Sequence, residues 1–146
     1  MSVRLVAIVV AAGALLAAGC GGDEEVTGQD GANRSNGKTL FVSGADGNAS
    51  CGSCHTLLDA GTAGTVGPNL DQALGYGCSQ GFAESTAYSV VLGQIELAQG
   101  AMPADLVTGQ DAVDVAAYVA SVAGKDIPGC DPSGDQSDEP ATETAG

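Results

Sequence analysis

The stretch Cys51-Gly52-Ser53-Cys54-His55 constrains this chain more than any other feature, because His55 is the only histidine in 146 residues. Two cysteines and a histidine at this spacing are typical of a zinc site, a redox-active dithiol or covalent attachment of a cofactor. The rest of the chain gives such a site a structural purpose. With no Trp, two Phe and three Tyr, its core must be built from small side chains. Small domains of this kind usually need a disulfide, a metal or a cofactor to be stable.

The N-terminus has the pattern of a secretory signal. Arg4 precedes an apolar run from Leu5 to Ala18, which ends in small residues at Gly19-Cys20. Residues 5–22 are uncharged and 18 residues long, which is the lower limit for a membrane-spanning helix, so a retained anchor helix is an alternative. We predict that residues 1–19 are a signal peptide and that the protein is exported.

The end of this segment, Leu16-Ala17-Ala18-Gly19-Cys20, resembles a bacterial lipoprotein signal. The resemblance implies that the Cys20 thiol receives a diacylglycerol and becomes the mature N-terminus, which anchors the protein to a bacterial membrane. The usual Leu three residues before the cysteine is replaced by Ala17, with Leu16 one position further back. Simple cleavage and release is the alternative.

Composition divides the remaining chain into three parts. Residues 20–35 are polar, Gly-rich and acidic, as in a flexible tether, and the acidic, Pro/Ser/Thr-rich residues 131–146 are typical of a disordered tail. The folded domain is predicted at residues 36–130, where nine acidic side chains face only Lys38 and Lys125. This charge excludes nucleic acid as a partner, since phosphate binding needs a basic surface. It is compatible with basic protein partners or with solubility alone.

The domain is predicted to be all-α with long loops. A first short helix is capped by Ser35 and continues through Phe41, and the last begins with a capping box of Thr108 and Asp111. Gly124 ends that last helix. The two longer predicted helices cover Glu84 to Ile95 and Thr108 to Ala123. Loops are expected at 43–50, 61–69, 75–81 and 98–105, and no segment alternates convincingly as a strand.

The cysteine count favours one disulfide. Of five cysteines, Cys20 is assigned to lipid and two belong to the CGSCH stretch, which leaves Cys78 and Cys130. In an oxidising compartment these two are expected to pair, and two free thiols are the alternative. A bridge closing this 53-residue loop would stabilise the fold by about 4 kcal/mol in the chain-entropy model.

Three chemistries compete for CGSCH, and the rest of the chain favours covalent haem. Structural zinc needs a second ligand pair downstream, which is missing, and a redox dithiol needs a thioredoxin-like βαβ pattern, which is also missing. C-x-x-C-H is the attachment signature of haem c, and an export signal precedes it. We therefore predict one haem c per chain, with thioethers to Cys51 and Cys54 and with His55 as an axial ligand of the iron.

Met102 is the predicted second axial ligand. A single histidine excludes bis-His ligation within the chain, and the only other methionine is Met1. Met102 lies in a Gly/Pro loop, Gln99-Gly100-Ala101-Met102-Pro103, just before the last helix. The alternative is a methionine that fills a gap in the core.

These elements in this order resemble class I c-type cytochromes over residues 37–124. The matching segments are Gly37-Lys38-Thr39-Leu40-Phe41, CGSCH, Gly67-Pro68-Asn69-Leu70, Met102-Pro103 and Asp114-Val115-Ala116-Ala117-Tyr118-Val119. The resemblance implies the small cytochrome c fold, a crossing of the first and last helices near Gly37, Phe41 and Tyr118, and a hydrogen bond from His55 to the Pro68 carbonyl. Two features depart from the family pattern: an apparent insertion at 42–50 and the Cys78/Cys130 pair.

The expected function is electron transfer without catalysis. With both axial positions filled by protein, no coordination site is open to a substrate, and Met/His ligation raises the reduction potential. We expect a membrane-tethered carrier between a quinol-oxidising complex and a terminal oxidase, with donor and acceptor proteins that dock through basic patches. The alternatives are a haem subunit of a larger oxidoreductase complex and a sensor or peroxidase with a displaceable Met102.

Overall fold

The computed structural model describes residues 29–130, and the all-α class predicted from the sequence is confirmed. Within these residues the helices are α1 (Arg34–Ser43), α2 (Leu70–Ser79), α3 (Glu84–Leu97) and α4 (Gly109–Val122). A single 3-10 turn covers Cys51–Ser53, and two-residue strands β1 (Thr56–Leu57) and β2 (Thr62–Ala63) pair antiparallel. None of the helices in residues 29–130 has the length and apolar character needed to cross a membrane. The predicted signal peptide, Cys20, tether residues 20–28 and the 131–146 tail lie outside the described residues.

The last helix, α4, forms the centre of the domain and packs against α1 and α3. Eight of its fourteen residues are Ala or Val, and these small side chains let neighbouring helices approach its axis closely. Nearly every residue from Ala112 to Val122 is buried, which is unusual for a helix of a small domain. Phe41, Leu57, Tyr88, Ile95 and Val107 complete the buried core.

The contact between α1 and α4 depends on Gly37. A Cβ at this position would lie 2.1 Å from the Asp114 carbonyl oxygen and 2.9 Å from the Tyr118 Cβ, so only glycine permits the approach. One turn further along α1, the Phe41 ring meets the Tyr118 ring edge-on, with centroids 6.0 Å apart. The helix crossing implied by the family resemblance is therefore present.

Asp114 is a buried carboxylate that fastens the beginning of α1 to α4. It is only 3% exposed. Its oxygens accept hydrogen bonds from the Asn33 backbone N–H at 2.8 Å, the Asn36 amide at 2.8 Å and the Gln110 amide at 2.9 Å. Burial by itself raises the pKa of Asp114, but these three donors outweigh it and hold the pKa below the ordinary aspartate value.

Both predicted helix caps were wrong in detail. Asn33, not Ser35, caps α1 by accepting a hydrogen bond from Asn36 N at 3.0 Å, so the folded part begins inside the predicted 20–35 tether. Thr108 precedes α4 but makes no side-chain cap. Asp111, its predicted capping-box partner, instead accepts a hydrogen bond from the Asn36 side chain at 3.3 Å. At α4 a contact with α1 thus takes the place of the local cap, whereas α1 keeps a local cap two residues earlier than predicted.

Helix α2 lies where a loop was predicted at 75–81. Asn69 caps it by accepting a hydrogen bond from Gln72 N at 3.2 Å. The helix continues through Gly75 and Gly77, and these glycines are the reason that a loop was predicted from the sequence. Gly75 is required by packing, because its Cβ would lie 2.3 Å from Ile127 Cδ1 and 3.0 Å from Gly124 Cα. The short β1–β2 pair was also not predicted. Helix α3 continues through Gly93 and ends at Leu97, two residues beyond its predicted end at Ile95.

The structure joins Cys78 and Cys130 in a disulfide, with Cα atoms 5.1 Å apart. Cys78 lies in the last turn of α2, and Cys130 is the last described residue. The bridge therefore fastens the segment that follows α4 to α2, beside the Gly75–Gly124 contact.

The helix crossing gives a direct prediction for stability. Gly37→Ala must push α1 away from α4, and we expect it to lower the free energy of unfolding by about 1–3 kcal/mol, as overpacking does. Gly93→Ala is the matched control, because a Cβ there meets nothing within 4 Å in the middle of α3. We expect Gly93→Ala to be neutral or to stabilise by up to about 1 kcal/mol. Chemical denaturation of both variants measures the difference, and equal stabilities would contradict this account of the crossing.

Candidate functional site

The CGSCH stretch forms one tight turn. Residues Cys51–Ser53 are 3-10 helical, and Cys54 N and His55 N both donate to the Cys51 carbonyl, at 3.1 and 2.9 Å. With about three residues per turn, residues three apart lie on the same side, so Cys51 and Cys54 share one face. Both are free thiols and half-buried. Burial raises the pKa of the Cys51 thiol, so it is neutral at pH 7 before any bond is formed.

The imidazole of His55 is held in one tautomer. Its Nδ1 lies 2.9 Å from the Pro68 carbonyl oxygen. A carbonyl can only accept, so Nδ1 carries a proton and donates, and in the neutral imidazole the lone pair for a metal is then on Nε2. The ring lies against Gly67, where a Cβ would be 2.3 Å from His55 Cε1. The Gly67-Pro68 pair thus fixes both the tautomer and the plane of the ring.

Residues 56–69 fold back onto the CGSCH turn. Gly67 N donates to the Cys54 carbonyl at 2.8 Å, and the Thr62 hydroxyl donates to the His55 carbonyl at 3.0 Å. Gly64 approaches the backbone so closely that a Cβ would lie 2.5 Å from the Cys54 carbonyl carbon. The backbone on both sides of His55 is therefore fixed by short-range hydrogen bonds.

Asp71 connects this site to the far side of the domain. Its two carboxylate oxygens accept from Leu58 N at 2.8 Å and from Gly124 N at 3.1 Å. The residue lies in the first turn of α2, so one side chain joins the segment after His55, the beginning of α2 and the end of α4. Sequence reasoning missed Asp71, because both its partners are backbone groups distant in sequence.

A second missed group links the site to the α1–α4 crossing. Asp59 accepts hydrogen bonds from Lys38 Nζ at 2.9 Å and from the Tyr118 hydroxyl at 2.7 Å. The Lys38 hydrogen bond, followed by that of Tyr118, lowers the pKa of Asp59. Burial and then the Asp59 carboxylate raise the pKa of Tyr118, so it remains a neutral donor. Lys38 also lies 5.9 Å from the centroid of the Tyr118 ring.

Met102 lies in the segment between α3 and α4. Its side chain is half-buried and packs against the hydrophobic core, which Cys51 also borders. Met102 N donates to the Gln99 carbonyl at 3.4 Å, and Pro103 follows directly. Met102 and Cys51 therefore both lie at the edge of the core, although helices α2 and α3 lie between them in the sequence.

The residues present fit a covalently bound haem. Two free thiols three residues apart suit two thioethers, a neutral imidazole with its Nε2 lone pair suits one axial position of the iron, and a half-buried thioether suits the other. Within residues 29–130, no group of three or more His, Cys, Asp or Glu side chains is arranged to hold a metal ion.

A small cavity lies apart from the CGSCH turn and Met102. It is found between α2, α3 and α4 beside the disulfide, and is lined by Leu74, Phe82, Ala87 and Ala120 among others.

The chain is similar to known c-type cytochromes. The family model for cytochrome c matches residues 35–123. Among solved structures, the c-type cytochrome SorU from Sinorhizobium meliloti is 34% identical, covers 63% of this chain and 92% of its own, and superimposes with a TM-score of 0.44. No curated protein matches significantly.

Proteins of the matched family transfer electrons through a covalently attached haem c, one per domain, and are not enzymes. Cytochrome c domains are typically extracytoplasmic and work with protein redox partners. The match extends from α1 to the end of α4 and covers more than half of the sequence. The chain therefore belongs to the cytochrome c family.

Proposed function

We propose that this chain is a mono-haem electron carrier with His55 and Met102 as axial ligands, tethered to the outside of a bacterial membrane in a respiratory chain. The observation that carries the proposal is the 2.9 Å hydrogen bond between His55 Nδ1 and the Pro68 carbonyl. It places the Nδ1 proton on the side away from the ligand site, so that the neutral ring has its lone pair on Nε2, and it orients the ring for axial ligation.

Each residue of the site has a separate task. Cys51 and Cys54 would bind the haem edge covalently, His55 Nε2 would occupy one axial position and the Met102 sulfur the other. Haem c supplies an iron that changes its oxidation state by one electron. Since protein would occupy both axial positions, no position is left for a substrate, and the chemistry is restricted to outer-sphere transfer. The hydrogen bonds around His55 would hold the ligand in one geometry in both oxidation states.

The surface charge supports basic docking patches on the partners. Residues 29–130 carry ten acidic and three basic side chains. Two of the three cations are already paired, Arg34 with Glu84 at 2.6 Å and Lys38 with Asp59 at 2.9 Å. Most of the acidic side chains are therefore not neutralised within the domain. Association with a basic partner would be accelerated by this field and weakened by salt.

The tether is proposed from the sequence. The lipoprotein-like signal at 1–19, a lipid on Cys20 and a flexible connection to α1 would keep the domain near the membrane, with 131–146 as an acidic tail. A tether of about a dozen residues between Cys20 and the Asn33 cap would allow the domain to move roughly 20 Å from its anchor. This range suits a carrier that exchanges electrons with neighbouring membrane complexes.

The axial ligation is tested by Met102→Ala. We expect the oxidised wild-type protein to show a Met sulfur-to-iron charge-transfer band and the variant to lose it. The reduction potential of the variant should fall by a sizeable part of the roughly 0.8 V range that axial ligands control. Ala101→Ser, at the exposed neighbouring position, is the control and should keep both properties. A band that survives in Met102→Ala would exclude Met102 as the ligand.

The orientation of His55 is tested by Gly67→Ala. The new Cβ would meet the imidazole at 2.3 Å, so the ring must turn or the segment must move. We expect a lower yield of low-spin holoprotein and a loss of about 1–3 kcal/mol in stability. Val66→Ala removes an exposed side chain next to it and should match the wild type. If the two variants behave alike in visible spectrum and denaturation, the close packing of Gly67 on His55 has no functional role.

The tether is tested by the intact mass of the mature protein. We expect a chain that begins at Cys20 and carries the added mass of one haem and a diacylglycerol, and we expect it to partition into detergent. Cys20→Ser should lack the lipid and appear in the aqueous phase with an unchanged visible spectrum. A wild-type protein that begins elsewhere or lacks the lipid mass would contradict lipid anchoring while leaving the haem assignment intact.

A further inference from the structure

The loop between α1 and the CGSCH turn, residues 44–50, is rich in small residues and is held by backbone hydrogen bonds. Gly44 N donates to the Leu40 carbonyl at 2.8 Å and so closes α1, and Asn48 N donates to the Ala45 carbonyl at 2.8 Å. Gly44 has a φ of +78°, and a Cβ there would lie 2.4 Å from the Asn48 carbonyl oxygen. Only glycine allows this fold, which fixes the position of the Asn48 backbone.

The same loop is joined directly to the haem-attachment turn. The Ser53 hydroxyl and backbone N–H both donate to the Ser50 carbonyl, at 2.6 and 3.1 Å. Asn48 is therefore connected to the CGSCH turn through a short, hydrogen-bonded stretch of backbone. A contact made by the Asn48 side chain is transmitted to that turn without a flexible link between them.

The Asn48 side chain reaches a segment more than fifty residues later. Its Nδ2 group donates to the Asp105 carbonyl at 3.2 Å and to the Leu106 carbonyl at 3.3 Å. A primary amide has two N–H donors, which matches two successive carbonyls. The opposite amide orientation would direct the Asn48 oxygen at two other oxygens, so the contact itself sets the orientation.

The segment that Asn48 holds is the one that carries Met102. Within the described chain, residues 99–107 make a single backbone–backbone hydrogen bond, from Met102 N to the Gln99 carbonyl at 3.4 Å. Asp105 has a left-handed φ of +57°, and after Met102 the segment next reaches the core at Val107, which is 6% exposed. Between Met102 and Val107, the hydrogen bonds described for this backbone are the two from Asn48.

We propose that Asn48 is a positioning residue for the second axial ligand. By holding the Asp105 and Leu106 carbonyls, it fixes the Met102 segment to the haem-attachment turn and slows the departure of Met102 from the iron. This inference rests on the proposed function, since it takes Met102 to be a ligand. It assigns a purpose to the 42–50 insertion, which the sequence alone left without one.

The contact is expected to control local opening more than global stability. The Asp105 and Leu106 carbonyls are near the surface, so water replaces Asn48 at little cost when the protein is unfolded or the amide is removed. A segment with few backbone hydrogen bonds opens independently of the rest of the fold. Loss of two exposed hydrogen bonds should increase its opening equilibrium about three- to tenfold, with a small effect on global unfolding.

The test uses the ferric holoprotein and imidazole as a competing ligand. We expect Asn48→Ala and Asn48→Asp to exchange Met102 for imidazole about three- to tenfold faster than the wild type, measured by the decay of the Met–iron charge-transfer band. Ala49→Ser, at an exposed position of the same loop, should exchange at the wild-type rate. Asn48 variants that exchange at the wild-type rate would overturn the proposal.

Two further measurements separate this proposal from the proposed function. In a Met102→Ala background there is no methionine to displace, so adding Asn48→Ala should leave imidazole binding unchanged. An equal acceleration there would overturn the proposal by showing a general effect on the haem crevice. Amide hydrogen exchange of residues 99–107 should also rise in Asn48→Ala, and unchanged exchange would count against it. If the wild-type protein lacks the charge-transfer band, Met ligation fails, and the role of Asn48 toward Met102 fails with it.

Discussion

The absence of a side chain at Gly37 is the constraint on which the rest of the domain depends. It lets α1 lie against the backbone of α4 at Asp114, which brings the Asn33 and Asn36 donors to that buried carboxylate. The same approach sets Tyr118 beside Phe41 and within reach of Asp59. Because Asp59 follows His55 by only four residues, the helix contact also fixes one end of the haem-attachment segment.

The other end of that segment is fixed by a separate set of contacts. Pro68 receives the His55 hydrogen bond, and Asp71 joins the segment to the end of α4 through Leu58 N and Gly124 N. His55 therefore lies between two sets of contacts, and both connect to α4 or to its end. An electron carrier benefits from such a frame, because a site that keeps its geometry in both oxidation states exchanges electrons with little rearrangement of the surrounding protein.

The sequence predicted what short motifs determine and missed what distant contacts determine. CGSCH specified its own turn, and the pattern of apolar residues specified α3 and α4, since both signals are local. The capping prediction at Thr108 failed because Asp111 is engaged by Asn36 of α1. Helix α2 was missed because its glycines are needed for close packing against Gly124 and Phe82 and do not mark a loop. Asp71 was missed because its partners are backbone groups. The roles of Met102 and Cys20 remain predictions for experiment.

The disulfide sets a requirement on how the protein is made. The proposed haem attachment needs Cys51 and Cys54 as reduced thiols, whereas Cys78 and Cys130 must be oxidised to form the bridge. An exported chain would meet the same oxidants with all four thiols at once, and a bridge that includes Cys51 or Cys54 would block the attachment site. The two cysteine pairs belong to different parts of the fold, the CGSCH turn and the junction of α2 with the C-terminal segment. Correct assembly therefore depends on the order in which these two pairs react, a kinetic demand that cytochromes with only the attachment cysteines do not face.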